Sequence, residues 1–415
     1  TDSGVAVVAD NSWAAIQGRK ALQIEWDEGA NAAWTTASIH DDLLDGAPQM
    51  GSAKPGVVEG SYDLPYEAHV PMEPMNCTAD VKEDGCDVWA PTQDPQNVQM
   101  QVMLATGLPR DSVRVHVPLI GGGFGRRLEA DYAVEAALLS QATGGPVQVL
   151  WTRDDDIRHD FYHPMSYHYV SLKTGQPFKK MFSRSRSATA YLPTGAWRSV
   201  DNFPAAYARE CFVDEYAAAT GVDPYDLRLQ LVDEKVYASD ARAVLKLAAE
   251  KSDWGKPLPE GWGRGMAFHS TFGVTHVAHV VEVEVDKQGH VRVHRVVSAV
   301  DCGQVINPGG VEAQMEGGIA FGLTAALKDK ITVKDGRVEQ GNFDDFGILR
   351  LDEMPAVEVY IVPSDRRPTG IGEMGVPPIV PAVLNAIYAA ARVRVREIPT
   401  KQINFELRQV AHACC

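Results

Sequence analysis

Residues 276–301 of the 415-residue chain read HVAHVVEVEVDKQGHVRVHRVVSAVD. Apolar and polar residues alternate on both sides of the turn sequence DKQG, a pattern typical of two strands that each bury one face. The stretch therefore predicts an antiparallel hairpin. Helical spacing of apolar residues predicts two helices before it, within 204–221 and 240–254, and one after it at 381–395, opened by Pro381.

The first half of the chain mixes the two element types as well. Residues 5–29 read VAVVADNSWAAIQGRKALQIEWDEG, which predicts a strand, a short helix and a second strand, as if the chain began within an α/β module. The polar stretch 31–60 suits a linker or a surface excursion. Further on, a helix is predicted at 128–145 with Gly144 as its stop, and a buried strand at 146–153. Because strands and helices follow no strict βαβ rhythm, we predict an α+β fold of mixed sheets with packed helices.

The overall composition excludes several classes of protein. A net charge of −16 disfavours nucleic acid, whose phosphates require a positive surface. No apolar run is long enough to span a bilayer, and the first residues lack the pattern of a secretory signal. The six cysteines are scattered without the close spacings that hold iron–sulfur clusters. Any such cluster is therefore expected in another polypeptide.

A glycine-rich stretch, LIGGGFGRRLEADY at 119–132, follows the strand-like residues 113–120 and precedes the predicted helix. Backbone N–H groups and the helix N-terminus could converge there on an anion, and the pair Arg126 and Arg127 strengthens that interpretation. A tight turn without a ligand is the alternative. The glycines do not follow the G-x-G-x-x-G pattern of dinucleotide folds, so hydride transfer from a nicotinamide is disfavoured.

Three further stretches contain isolated polar residues. Gln93 lies between two prolines in PTQDP, Arg198 follows Trp197 in GAWRSV, and Glu373 stands alone in GIGEMGVPP. Prolines and glycines would fix the direction of the Gln93 amide and of the Glu373 carboxylate. The local sequence alone also allows a surface turn for Gln93 and a surface arginine stacked on an aromatic ring for Arg198.

The histidines give only weak support for a metal site. His159 and His163 could pair on a helix, but Pro164 and the lack of a third ligand favour ordinary packing. His276 and His279 lie on a predicted strand at a spacing that directs them to opposite faces, so they are not expected to chelate one ion. No metal ligand is predicted from the protein itself.

Five motifs in this order resemble one known family: TQ at 92–93, GGGFGRR at 121–127, WRSV at 197–200, SAVDCGQVINP at 298–308 and GIGEMGVPPIVPAVLNA at 370–386. They resemble the large, molybdenum-binding subunit of the xanthine oxidase family of molybdenum hydroxylases, in the subgroup of isoquinoline oxidoreductase beta subunits and membrane-associated bacterial aldehyde dehydrogenases. The resemblance covers the chain from about Val57 to Pro399. It implies that family's fold and three parts: a partial α/β module and linker at 1–56, a first cofactor-binding domain at 57–200 and a second at 201–415.

The resemblance also implies roles for individual residues. Glu373 matches the general base next to the metal, and Gln93 matches a glutamine that hydrogen-bonds an oxo ligand of the metal. The other residues implied to bind the cofactor lie in the glycine-rich loop, beside the base or near the active site: Gly122, Gly123, Phe124, Gly125, Arg126, Arg198 and Gly372. The implied cofactor is molybdopterin cytosine dinucleotide with molybdenum, while iron–sulfur clusters and haem are expected in partner subunits only.

The implied activity is oxidation of an aldehyde to a carboxylic acid with water as the oxygen source. Hydroxylation of an N-heterocycle such as isoquinoline is the alternative within the class, and a catalytically silent structural subunit is the alternative outside it. The expected partners are a small iron–sulfur subunit and a cytochrome c subunit, in a periplasmic complex that contacts the membrane only through partners. Two departures from the family pattern are Leu128, where purine-oxidising members have a second glutamate, and the lack of a Gly-Gln-Gly cofactor loop.

Overall fold

The computed structural model describes residues 4–51, 54–328, 330–400 and 403–404. Within these ranges the chain forms ten α-helices and 13 strands. In chain order they are α1 (Ser12–Ala21), α2 (Thr36–Leu44), β1 (Val57–Leu64), β2 (Asn76–Val81), β3 (Cys86–Trp89), α3 (Pro95–Thr106), β4 (Val113–His116), α4 (Asp131–Thr143), β5 (Val147–Leu150), α5 (Arg153–Arg158), β6 (Ser166–Lys173), β7 (Phe182–Ser187), α6 (Asn202–Thr220), α7 (Pro224–Asp233), α8 (Ala241–Lys251), β8 (Trp262–Thr271), β9 (Thr275–Val285), β10 (Val291–Asp301), α9 (Pro308–Leu327), β11 (Val333–Lys334), β12 (Arg337–Val338), β13 (Ala356–Ile361) and α10 (Val376–Ala391).

The predicted hairpin is confirmed and forms the centre of the largest sheet. Strands β9 and β10 pair antiparallel in the order β13-β10-β9-β8, and only the β10–β13 pair is parallel. Helix α10 lies directly on β8 because Gly263 and Gly265 carry no side chain there. A Cβ atom at Gly265 would stand 2.1 Å from the backbone nitrogen of Ala386. This close contact fixes the helix that follows the predicted base, Glu373.

A second sheet, β4-β3-β2-β5, packs against helices α3 and α4 in a core that includes Val88, Val98 and Ala133. The turn between β3 and α3 carries Gln93, and the connection from β4 to α4 carries the glycine-rich loop. A third, antiparallel sheet has the order β1-β6-β7. Helices packed on separate mixed sheets confirm the α+β class.

The predicted strand–helix–strand start is only partly right. Helix α1 forms, capped by the Asn11 side chain, but the stretches VAVVAD and QIEW form no strand. No strand in the described ranges pairs with either stretch, and an extended segment without a partner cannot complete its ladder of hydrogen bonds. The linker prediction for 31–60 also needs correction, because α2 docks Ile39 and Leu43 in a core and β1 begins at Val57.

Two other boundaries differ from the prediction. Helix α10 begins at Val376, five residues before Pro381, which lies inside the helix. Pro377 and Pro378 occupy the first turn, where a missing N–H has no intrahelical partner to lose, so the prolines do not delay the helix. The strand predicted to be buried at 146–153 is β5, an edge strand with alternating burial. The predicted helices at 128–145, 204–221 and 240–254 are confirmed as α4, α6 and α8. The division at Val200 into two domains stays a prediction.

Four buried histidines lead to a prediction about acid stability. Burial lowers the pKa of His163, His168 and His279 to about 4 and that of His269 to about 3. An unfolded histidine titrates near ~6.5, so between these values the unfolded chain binds more protons than the folded one and acid favours unfolding. Burial also raises the pKa of Asp156 to about 7. In this pH range the folded chain therefore binds one proton at Asp156 that the unfolded chain does not, and this opposes the effect of the histidines.

We therefore expect the free energy of unfolding to fall as pH decreases from ~6.5 towards ~4, by up to about 4 kcal/mol per pH unit for a net three protons, four at the histidines less one at Asp156. Urea midpoints at pH 7.5, 6.0 and 5.0 measure this. The His168 ring lies between the hydroxyls of Ser166 and Ser185. His168→Gln should reduce the number of protons taken up on unfolding by about one. A midpoint that stays constant over this range would contradict the prediction.

Candidate active site

The glycine-rich loop adopts a backbone conformation that is rare for residues with side chains. Phe124 and Gly125 have positive φ values of 55° and 112°. A Cβ atom on Gly125 would lie 1.4 Å from the carbonyl oxygen of Ala196, and one on Gly123 would lie 2.3 Å from Oε1 of Gln93. The glycines therefore let the loop contact the Gln93 turn on one side and the turn before Trp197 on the other.

The Gln93 side chain is fixed by this loop. Its Oε1 accepts the Gly125 N–H at 3.0 Å, and its backbone N–H donates to the Arg127 carbonyl at 2.9 Å. The side-chain NH₂ group makes no hydrogen bond within the part of the chain that the structure describes. Gln93 is thus an exposed residue whose amide oxygen is fixed by the loop and whose NH₂ group is free.

Arg126 and Arg127 are both fully buried and paired with carboxylates of the chain itself. Arg126 binds Asp131 through two bonds of 2.8 and 2.7 Å, and Arg127 binds Glu73 at 2.8 Å. The expectation that the two guanidinium groups await an external anion is therefore wrong. The Arg126 backbone N–H donates to the Gly123 carbonyl, so this residue supports the loop from behind.

A buried histidine–aspartate pair lies behind the loop, and no local sequence pattern predicts it. His69 and Asp160 are 1% exposed, and Nδ1 of His69 lies 2.9 Å from Oδ1 of Asp160. Although burial acts to raise the Asp160 pKa, His69 and Arg126 outweigh it and hold that pKa below its usual value. Nε2 of His69 has no partner among the described residues, and it faces Gly125.

Glu373 occupies the loop just before α10, as predicted. The backbone N–H of Ser199 donates to Oε2 of its carboxylate at 2.7 Å. Ser199 and Val200 have φ values of 79° and 43°, and this strained turn directs the N–H toward the carboxylate. Oε1 has no partner among the described residues, so one oxygen is held and the other can accept a proton.

Arg198 connects the glycine-rich loop with residues 370–375, the loop that carries the predicted base Glu373. We call this second loop the base loop. The Arg198 guanidinium donates to the Gly372 carbonyl at 2.9 and 2.6 Å and to Oε1 of Gln314 at 2.9 Å. It also lies 5.7 Å from the centre of the Phe124 ring. Burial lowers the Arg198 pKa, while the charge of Glu373 opposes that shift.

The structure thus brings together most of the residues that the resemblance implied. Gln93 contacts the loop 122–125, the loop contacts Arg198 through Phe124, and Arg198 holds Gly372 beside Glu373. Sequence reasoning missed Ser199 and Gln314. Ser199 acts through its backbone, so its residue type carries no signal, and Gln314 lies in a helix far along the chain.

The two histidines considered as a metal pair both pack edge-on against aromatic rings, and His159 does so against Trp151. His163 lies edge-on against Trp197 and Phe203, as the packing interpretation predicts. No three His, Cys, Asp or Glu side chains in the described ranges are grouped so that they could hold a metal ion.

The residues present fit a metal-carrying pterin cofactor. Gln93 offers free amide donors, Glu373 offers a free carboxylate oxygen, and the buried Ser199 hydroxyl has no partner in the described part of the chain. One carboxylate and one amide are too few ligands to hold a metal alone, so a metal here must bring ligands of its own.

Comparison with known families defines the class of the protein. Residues 35–175 and residues 213–355 match two family models that are both described as molybdopterin cofactor-binding domain. Together the matches cover more than half of the chain. The chain therefore belongs to the molybdopterin-binding large subunits of the xanthine oxidase family.

Individual relatives agree with this class. The chain is 29% identical to isoquinoline 1-oxidoreductase subunit beta of Brevundimonas diminuta, over 96% of this chain and 60% of that protein. It is 28% identical to the membrane-bound aldehyde dehydrogenase (pyrroloquinoline-quinone) of Gluconacetobacter polyoxogenes, over 96% of this chain and 62% of that protein. The chain thus spans about three-fifths of the length of these relatives. The two alignments extend over 471 and 480 residues, so both relatives hold segments that this chain lacks.

Solved structures share the fold. The aldehyde oxidoreductase from Desulfovibrio gigas matches with a TM-score of 0.70 at 14% identity, over 88% of this chain and 62% of that one. Quinoline 2-oxidoreductase from Pseudomonas putida 86 matches with a TM-score of 0.68 at 15% identity, over 84% of this chain and 75% of that one. At such identities the likeness establishes the fold alone.

Proposed function

We propose that the chain is the molybdenum-binding subunit of a hydroxylase that oxidises an aldehyde to a carboxylic acid, with water as the oxygen source. One observation carries the proposal. In a chain with two molybdopterin-binding domains, Glu373 has one carboxylate oxygen held by Ser199 and the other free, in a loop that Arg198 joins to the glycine-rich loop.

Each residue has a role that follows from its contacts. When bound, the cofactor would supply a metal centre able to accept two electrons from the substrate. Glu373 removes and holds a proton at Oε1, because Oε2 is already engaged by the Ser199 N–H. Gln93 would hold the cofactor through its free NH₂ group. Gly123 lets the loop pack against the Gln93 side chain, and Gly125 lets it pack against the Ala196 carbonyl. Arg198 fixes the base loop through Gly372.

The surroundings favour a neutral, apolar substrate. Nε and Nη2 of Arg198 already donate to the Gly372 carbonyl and to Gln314, so these donors are not available to a substrate. The rings of Phe124 and Phe321 lie beside the Arg198 guanidinium, with centres 5.0 Å apart. By the resemblance, Leu128 stands at the position where purine-oxidising members of the family have a second glutamate, which favours a substrate other than a purine.

Hydroxylation of an N-heterocycle is the second candidate, because one relative is named isoquinoline 1-oxidoreductase and another, from Pseudomonas putida, is named nicotinate dehydrogenase. A catalytically silent subunit is the third, because the chain lacks segments that its relatives hold. We assign the cofactor as the cytosine dinucleotide form and place the clusters and haem in partners, a small iron–sulfur subunit and a cytochrome c.

We further propose a periplasmic complex that meets the membrane through partner subunits. This location rests on the resemblance to membrane-associated aldehyde dehydrogenases. None of the helices in the described part of the chain combines the length and the apolar composition that crossing a bilayer requires.

Steady-state rates of the purified complex test the substrate class. Acetaldehyde and isoquinoline are supplied in turn under anaerobic conditions with a dye as electron acceptor. We expect turnover without dioxygen, and a higher kcat/KM for acetaldehyde. Preference for isoquinoline would support the N-heterocycle candidate, and no turnover of either compound by a molybdenum-loaded complex would contradict both.

A further inference from the structure

The loop that carries Glu373 is held by side chains and backbone from outside it. Besides Arg198 and Ser199, two residues of β9 contact it. Oγ1 of Thr275 donates to the Gly370 carbonyl at 2.8 Å, and Nε2 of His279 lies 3.0 Å from the Gly375 carbonyl oxygen. The central sheet therefore fixes the loop at both ends, while Arg198 and Ser199 fix its middle.

His279 is one of the fully buried contacts of this loop. It is 0% exposed, and burial lowers its pKa to about 4, so the imidazole is neutral at pH 7. A carbonyl oxygen can only accept, which places the single ring proton on Nε2. Nδ1 is then an acceptor, and it has no partner among the described residues. Ser298, its cross-strand neighbour on the same face of the sheet, has a buried hydroxyl in the same situation.

The carbonyl that His279 holds is mechanically linked to the base. Gly375 immediately precedes α10 and touches α9 so closely that a Cβ atom on it would lie 3.0 Å from the Met315 carbonyl oxygen. The Val376 N–H also donates to the Glu373 carbonyl at 3.2 Å. A shift of Gly375 would therefore be passed on to Glu373, two residues away.

We propose that His279 is a positioning residue for Glu373: its Nε2–H holds the Gly375 carbonyl and thereby sets where the Glu373 carboxylate points. The role rests on the proposed function of Glu373 as a base. Misplacement of a catalytic group by about 1 Å can cost on the order of 100-fold in rate. His279 touches neither the substrate nor the reacting atoms, so its loss should affect kcat and leave KM unchanged.

Two variants of the intact complex test this. His279→Leu removes the donor, whereas His279→Gln keeps an N–H donor in a side chain of similar reach. We expect His279→Leu to lower kcat about tenfold with KM and molybdenum content unchanged, and His279→Gln to stay within about threefold of the original kcat. Hydrogen exchange of the amides in residues 371–376 gives a second readout, and we expect it to rise about tenfold in His279→Leu only.

The two readouts separate the failure of this proposal from that of the proposed function. Unchanged kcat and unchanged exchange in His279→Leu would overturn the positioning role. If exchange is faster in His279→Leu but the original complex shows no turnover, the contact made by His279 would be supported and the proposed function would be overturned instead. If His279→Leu does not fold, His279→Gln decides alone, because a kcat loss above tenfold with normal folding would contradict the requirement for an N–H donor.

Discussion

Glu373→Gln is expected to lower kcat by about 10²–10⁴-fold while the cofactor stays bound. The amide oxygen of glutamine can still accept the Ser199 N–H, so the loop keeps its contacts. What the variant loses is the carboxylate that can take up the proton. Steady-state kinetics and metal content, measured on the same preparation, check both halves of this expectation.

Glu260→Gln serves as the matched control, since Glu260 is an exposed residue of the loop before β8. The same chemical change there should leave kcat within about twofold, because exposed substitutions away from a site have small effects. Near-normal turnover by Glu373→Gln would contradict the role of Glu373 as the general base.

Gly125→Ala is expected to cost about 3–5 kcal/mol of folding stability and to lower the retained cofactor. The new Cβ atom would lie 1.4 Å from the Ala196 carbonyl oxygen, at a φ of 112° that side chains rarely adopt. The glycine-rich loop and the turn that carries Arg198 would have to separate. Chemical denaturation measures the first effect, and elemental analysis of the folded fraction measures the second.

Gly145→Ala is the control for this change, because an added Cβ atom there meets no heavy atom within 4 Å. Its effect should lie within about 0.5 kcal/mol. Equal stability of Gly125→Ala and Gly145→Ala would show that the loop can move away, contrary to the packing described above.

The strongly patterned parts of the fold could be predicted from the sequence. The alternation at 276–301 specifies β9 and β10 because one face of each strand must be buried. The helical spacing in α4, α6 and α8 works in the same way. The strands predicted at either side of α1 fail for the complementary reason, since pattern alone does not supply a neighbouring strand.

The active site was predictable only where the residue type matters. Three kinds of residue stand out because few other types can replace them. They are the amide of Gln93, which can donate and accept, the glycines of the loop, which allow close contact, and the carboxylate of Glu373, which can accept a proton. Arg126 looked equally distinctive, but its partner Asp131 and its neighbour Asp160 neutralise it inside the fold.

Contacts between distant segments carry the rest of the site. His279 bonds to a carbonyl 96 positions away, and Ser199 reaches Glu373 across 174 positions through a backbone N–H. Neither pairing leaves a local pattern, because any residue can supply a backbone group and a strand histidine is usually a packing residue. Tertiary structure is needed to see either one.

The molybdenum content of the purified complex tests the central claim most directly. Elemental analysis per mole of this chain should give close to one molybdenum, in a preparation whose protein concentration is determined by amino-acid analysis. The account predicts this stoichiometry because two cofactor-binding domains and the Gln93, Gly123–Gly125 and Glu373 contacts come together in one chain. A folded complex without molybdenum would contradict the assignment as a molybdenum hydroxylase and would support a silent structural subunit.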